Sequence, residues 1–174
     1  SEAIHSGVDL MASTVSFMAV RKSSEPPDEE HDYGHGKVEN VSAAAESLFI
    51  IAAAIFIFAE AVGKFTNPQL PEDLDLAMGV MIVSSVLNLA VSQRMHHIGK
   101  RTNSAALLAD ALHLRTDVWT SVAVLFGIVL MKITGYLWID PLIACCVAVG
   151  ILHVGYQMCR SSYDTLVDTS FYAA

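Results

Sequence analysis

Long apolar runs alternate with short polar clusters along these 174 residues. "SLFIIAAAIFIFAEAVG", "LAMGVMIVSSVLNLAVS", "VWTSVAVLFGIVLMKITGYLW" and "PLIACCVAVGILHVGYQM" each approach the ~20 helical residues that cross a ~30 Å hydrocarbon core. The opening run, "AIHSGVDLMASTVSFMAV", is as long, although it carries His5 and Asp9. The runs are too long for strands, and Gly and Pro fall mainly between them. The pattern therefore predicts an all-α membrane protein, a helical bundle of five transmembrane helices with no soluble domain. Hydrophobic residues make up 53% of the chain, close to an ordinary globular share, so their distribution rather than their amount argues for the bilayer.

Charge orients the bundle. Arg21, Lys22 and Lys37 lie in the first connection, Arg94, Lys100 and Arg101 in the third, and Arg160 follows the last apolar run; the second and fourth connections hold Lys64 and Lys132. The positive-inside rule makes the first and third connections and the C-terminus cytoplasmic. The net charge of −8 gives no reading as a nucleic-acid binder. Cys145, Cys146 and Cys159 share one apolar helix and read as small buried residues rather than a disulfide framework. The abrupt start, with Glu2 and His5 lacking a polar lead-in, and the abrupt tail "FYAA" read as a fragment with pieces absent at both ends; the domain expected is one transmembrane unit over 1–174.

A repeat carries the chemistry. "SEAIHSGVDLMAS" and "ADALHLRTDVWTS" match Ala3 with Ala111, His5 with His113, Asp9 with Asp117 and Ser13 with Ser121. In a helix, i and i+4 share a face, so each His points the same way as its Asp. Asp9 lies twelve residues before Arg21 on a helix running inward, and His113 twelve residues after Arg101 on a helix running outward. Both come to roughly 18 Å from the cytoplasmic boundary; His5 and Asp117, sixteen residues away, come to about 24 Å. An Asp at a helix centre costs about 2.5–3.5 kcal/mol on insertion scales, so two such helices need a compensating partner. Two imidazole nitrogens and two carboxylate oxygens make a tetrahedral shell that suits Zn²⁺. The alternative is that each His hydrogen-bonds its own Asp; the duplication at matched depth argues against it.

The first connection, "EPPDEEHDYGHGKVE", holds Asp28, His31 and His35, three ligand types within eight residues, with Gly34 and Gly36 framing a tight turn. It reads equally as a solvated acidic loop. Asp110 precedes His113 by three residues and Glu2 precedes His5 by three, so each lies one turn from its motif, either drawing cations to a mouth of the site or simply solvated. Glu46 is expected to be buried and paired, and Glu60 interfacial. Asn88, Ser6 and Ser13 are read as polar glue between helices, His96 and His97 as loop residues, and His153 as a core or interface histidine. Arg115 faces away from His113 and needs an anion.

Together these stretches resemble the cation diffusion facilitator family of divalent-metal/proton antiporters across essentially the whole chain. "SEAIHSGVDL" is similar to the family's second helix, "PPDEEHDYGHGKVE" to its first cytoplasmic loop, "ADALHLRTDVWTS" to its fifth helix, and Asp140-Pro141 to its last connection. The resemblance implies a transport site of His5, Asp9, His113 and Asp117, and a cytoplasmic-loop metal site of Asp28, His31 and His35. It implies a homodimer with Lys37 in an intersubunit charge network with Asp168. It also implies that the five helices correspond to the second through sixth of a six-helix fold, without the first helix and the C-terminal cytoplasmic domain. Members with such a quartet usually handle zinc, sometimes cadmium, cobalt or ferrous iron.

The expected function is therefore Zn²⁺ export in exchange for protons by a multi-pass protein of a prokaryotic cytoplasmic membrane, with Zn²⁺ as substrate and as a structural ion of the loop. Its partners would be metal ions, protons and the lipid bilayer. The alternative is a membrane protein that binds or senses metal without transport. An intramembrane metalloenzyme would need an H-E-x-x-H arrangement and an open coordination position, and no such motif occurs.

Overall fold

A computed structural model describes residues 2–29, 31–32, 34–66, 74–136 and 138–167; for 2–9, 66, 74–77 and 132 the backbone alone is described. Within them the chain forms five helices: α1 (Glu2–Ser23), α2 (Lys37–Thr66), α3 (Leu74–Thr102), α4 (Ala105–Thr134) and α5 (Ile139–Leu166). Four of these, α2 to α5, are long and apolar enough to cross a membrane. At 22 residues α1 extends about 33 Å, also sufficient by length. The all-α bundle expected from the sequence is the fold.

The helices outrun the apolar segments. α3 continues through Arg94, His96, His97 and Gly99 to Thr102, and stops at Asn103, whose φ is +52°. His96 and His97 are thus helical, not loop residues. α4 starts at Ala105 behind Ser104, whose hydroxyl accepts the Leu107 N–H at 3.3 Å as an N-cap. It ends on Gly135 at φ +75°, whose N–H donates to Met131 O at 2.9 Å. A left-handed cap of this kind suits glycine, which has no Cβ to clash.

Packing is most extensive between α2 and α5, then between α3 and α4. Ile50 and Ala54 of α2 meet Ile151 of α5, with Ile57, Val147 and Met158 around them. The two helices approach closely at Gly155, where an added Cβ would lie 2.8 Å from Ile51 Cγ1. On α1, Ala12, Ser16 and Ala19 form the buried stripe, and on α4 Ala106, Ala109, Asp110, His113 and Thr116 do. Small residues along both stripes let the backbones approach, the usual means of association where lipid gives no hydrophobic drive. The outward faces remain apolar, with Phe17, Phe56, Val83, Trp119 and Ile133 exposed, as expected of surfaces solvated by acyl chains.

Of the residues read as polar glue, one is misplaced. Ser13 is exposed, and the side chain of Ser6 lies outside the described residues. Ser16, three positions on, reaches Ala106 O of α4 at 3.4 Å, and Ser92 of α3 donates to Ala111 O at 2.7 Å. His153 is exposed on this chain, with Gln157 Nε2 2.9 Å from its Nε2, so it is not a core histidine. Cys145 and Cys159 are half-buried and Cys146 exposed, rather than buried; all three are free thiols.

Candidate metal sites

The Ser16–Ala106 contact sets the register of α1 against α4. Counting outward from it, Asp9 is seven residues along α1 and His113 seven along α4, about 10.5 Å in each case. His5 and Asp117 are each eleven residues away, about 16.5 Å. Positions 5 and 9 also continue the register of Ala12, Ser16 and Ala19, the stripe that faces the bundle. The side chains of His5 and Asp9, like that of Glu2, lie outside the described residues. On α4, His113 is 5% exposed, and its Nε2 lies 3.9 Å from Asp117 Oδ2, beyond hydrogen-bond length. The pair is held by its backbone: Thr116 Oγ1 donates to His113 O at 2.7 Å and Thr120 Oγ1 to Asp117 O at 2.8 Å.

The loop residues converge. Asp28 Oδ1 accepts the His31 N–H at 2.8 Å and lies 2.9 Å from His31 Nδ1. Asp28 Oδ2 lies 3.3 Å from His35 Nε2, and the two imidazoles stand 4.4 Å apart at 41°. One ligand atom from each of the three lies within 4.8 Å of the others. A tetrahedral Zn²⁺ at ~2.0–2.1 Å from N and O ligands sets its ligand atoms ~3.3 Å apart, so small rotations would close the cluster. Gly34 makes this possible: at φ +78° it turns the chain back, its N–H donating to His31 O at 2.9 Å. His35 is buried while Asp28 and His31 are exposed, and neither of its ring nitrogens has an aligned hydrogen bond among the described residues. The three side chains fit a metal.

Just beyond the loop, Glu39 ties three helices together. Its Oε1 accepts from Ser23 Oγ of α1 at 2.5 Å, and its Oε2 accepts from Ser104 Oγ, the cap of α4. Sequence pattern did not single out Glu39, because a first-turn acid is ordinary helix chemistry. Lys37, two residues earlier, is exposed, and Asp168 lies outside the described residues. At the opposite end, Lys64 reaches Glu60 at 3.4 Å and Asp140 at 3.9 Å, joining α2 to α5.

Burial separates the remaining acids. Asp110 is 7% exposed, which excludes a solvated helix-end role. Glu46 is buried as expected, but neither of its oxygens holds a hydrogen bond among the described residues, and its neighbour across α4 is another acid, Asp110.

A multi-pass helical bundle with paired His/Asp motifs on facing helices and a ligand-rich loop at its basic end defines a class of membrane protein that handles cations. The model of the cation efflux transmembrane domain matches residues 1–167, and the chain belongs to the cation efflux family. It is similar to the uncharacterized transporter sll1263 of Synechocystis sp., 39% identical over 170 residues, covering 98% of this chain and 55% of that one. It is also similar to the cation-efflux pump FieF of Yersinia pestis, 33% identical over 165 residues, 95% of this chain and 55% of the relative. FieF of Yersinia pseudotuberculosis matches to the same extent. The chain spans about half the length of these curated relatives.

Proposed function

We propose that the protein exports Zn²⁺, and related ions such as Cd²⁺, Co²⁺ or Fe²⁺, from the cytoplasm in exchange for protons. His5, Asp9, His113 and Asp117 form the transport site. The observation that carries this reading is the register of α1 on α4: one contact, Ser16 to Ala106, sets both His-x-x-x-Asp motifs at equal distances outward. The relatives named as cation-efflux pumps support it. The basic end of the bundle, with Arg21, Lys22, Lys100 and Arg101, is then cytoplasmic, and the protein sits in a prokaryotic cytoplasmic membrane. The chain is a transmembrane domain that works as a homodimer.

Coupling follows from the ligands. Metal binds imidazole in its neutral form and carboxylate in its ionised form, so arrival of the cation releases protons, and protons compete for the vacated shell. A proton gradient then drives unloading on the far side. Four protein ligands close the shell to catalytic water, which favours carriage over hydrolysis. Alternating access is a rocking of α1 and α4 against the α2–α5 scaffold, whose tight packing at Gly155 makes it the natural fixed body. Asp28, His31 and His35 hold a metal that secures the α1–α2 loop, outside the membrane path.

Reconstitution of the chain into proteoliposomes with a trapped pH dye tests the proposal. Zn²⁺ addition should drive proton movement that His113→Ala abolishes. Zn²⁺ bound without proton flux would replace export by the sensing reading.

A further inference from the structure

Between the loop and the quartet, the bundle buries a group of polar side chains that the transport reading does not use. Glu46 of α2 is 1% exposed, and neither carboxylate oxygen has a hydrogen bond among the described residues. Ser42, one turn nearer the loop on the same face, is 3% exposed, and its hydroxyl is likewise without a partner. A helical side chain leans toward its own N-terminus, so Glu46 reaches back over Ser42. Across from them, Asp110 of α4 acts on Glu46 electrostatically, and the Ser16 hydroxyl of α1, which donates to Ala106 O, approaches the Glu46 carboxylate without an aligned bond. Asp110 is three residues short of His113, about 4.5 Å along the axis.

A buried carboxylate with no aligned hydrogen bond and an acid for a neighbour is costly as it stands. A second buried, unpartnered oxygen one turn away shows that the deficit belongs to a place rather than to one side chain. The donors are all oxygen, which suits hard divalent cations and contrasts with the mixed N/O shell of the quartet. We propose that Glu46, Asp110 and the hydroxyls of Ser16 and Ser42 form a second intramembrane cation site, a station on the cytoplasmic approach to the quartet that takes hard divalent ions such as Mn²⁺. The site goes beyond the export reading and does not depend on it, because a cation binds there whether or not the protein transports.

The test is Mn²⁺ binding to the full chain in nanodiscs, read by the loss of the free-ion EPR signal. The background carries Asp28→Ala, His31→Ala, His35→Ala, His113→Ala and Asp117→Ala, which silence the loop and the quartet. This background should keep one Mn²⁺ equivalent, and Glu46→Gln should weaken it about tenfold or more, since affinity at oxygen sites follows ligand charge. Asp110→Asn, as a second variant, should act in the same direction. If the background binds no Mn²⁺, the group holds only a proton and the proposal is overturned. Binding that survives both Glu46→Gln and Asp110→Asn unchanged lies elsewhere on the protein and overturns it equally. Failure of Zn²⁺-driven proton flux would leave this binding intact, so the two readings fail separately.

Discussion

Replacing Glu39 should loosen the basic end of the bundle. The carboxylate receives hydroxyls from Ser23 on α1 and from Ser104 at the cap of α4, while its own backbone opens α2. Hydrogen bonds to a charged group contribute about 1.5–3 kcal/mol each. Glu39 is half-buried, so water competes and the lower end applies; losing both bonds in Glu39→Ala should cost about 2–3 kcal/mol. Glu39→Gln keeps one acceptor and offers an NH₂ to the other serine, so its loss should be about 1 kcal/mol. Unfolding in mixed micelles on a denaturing-detergent gradient, followed by Trp119 and Trp138 fluorescence, gives the difference. Limited proteolysis at the 24–36 loop reports where the loosening occurs. A double-mutant cycle with Ser104→Ala isolates the shared bond, because the Leu107 cap survives in Glu39→Ala and is lost in Ser104→Ala. Glu39→Ala within about 0.5 kcal/mol of the parent, with unchanged loop cleavage, would refute the latch, since surface changes free of such contacts fall in that range.

Gly155→Ala should destabilise by about 1–2 kcal/mol, because its Cβ would meet Ile51 Cγ1 at 2.8 Å and Ile50 Cγ2 at 3.2 Å. Gly150→Ala on the same helix meets nothing within 4 Å and should stabilise by up to about 1 kcal/mol; the same unfolding assay reads both, and equal effects would deny the close approach of α2 and α5. Ser92→Ala removes the 2.7 Å bond to Ala111 O and should cost about 0.6 kcal/mol, the average for interhelical hydrogen bonds in membranes. His31→Ala and His35→Ala should each remove one bound metal equivalent by calorimetry while transport persists. The parent's loop affinity should fall as the pH is lowered, because imidazole binds metal only when neutral. Loss of all flux with the membrane site still loaded would place the loop on the transport path.

The helices were legible because apolar runs of membrane length leave little choice of fold. Their ends were not, since hydropathy reports where lipid stops and not where hydrogen bonding stops; α3 carries His96 and His97 two turns past its apolar run for that reason. The repeat and the convergence of Asp28, His31 and His35 could be read from spacing, because i and i+4 on a helix and a glycine-turned loop are local geometry. One helix-to-helix polar contact was misread. Ser13 and Ser16 look alike in sequence, and only the buried register of Ala12 and Ala19 tells which one faces α4. Glu39 and the Glu46–Asp110 pair were harder still, because each depends on residues from separate helices, and tertiary packing alone brings them together.

The claim at the centre of the account is that two His-x-x-x-Asp motifs close on one cation. Zinc K-edge absorption of the full chain tests it most directly, with Asp28, His31 and His35 replaced by alanine so that the loop contributes no ligand. The account predicts one Zn²⁺ with a four-coordinate shell of two imidazole nitrogens and two carboxylate oxygens at about 2.0–2.2 Å. Imidazole scattering should fall by half in His5→Ala alone and by half in His113→Ala alone, and vanish when both are changed. A shell without imidazole, or one that both substitutions leave unaltered, would contradict it.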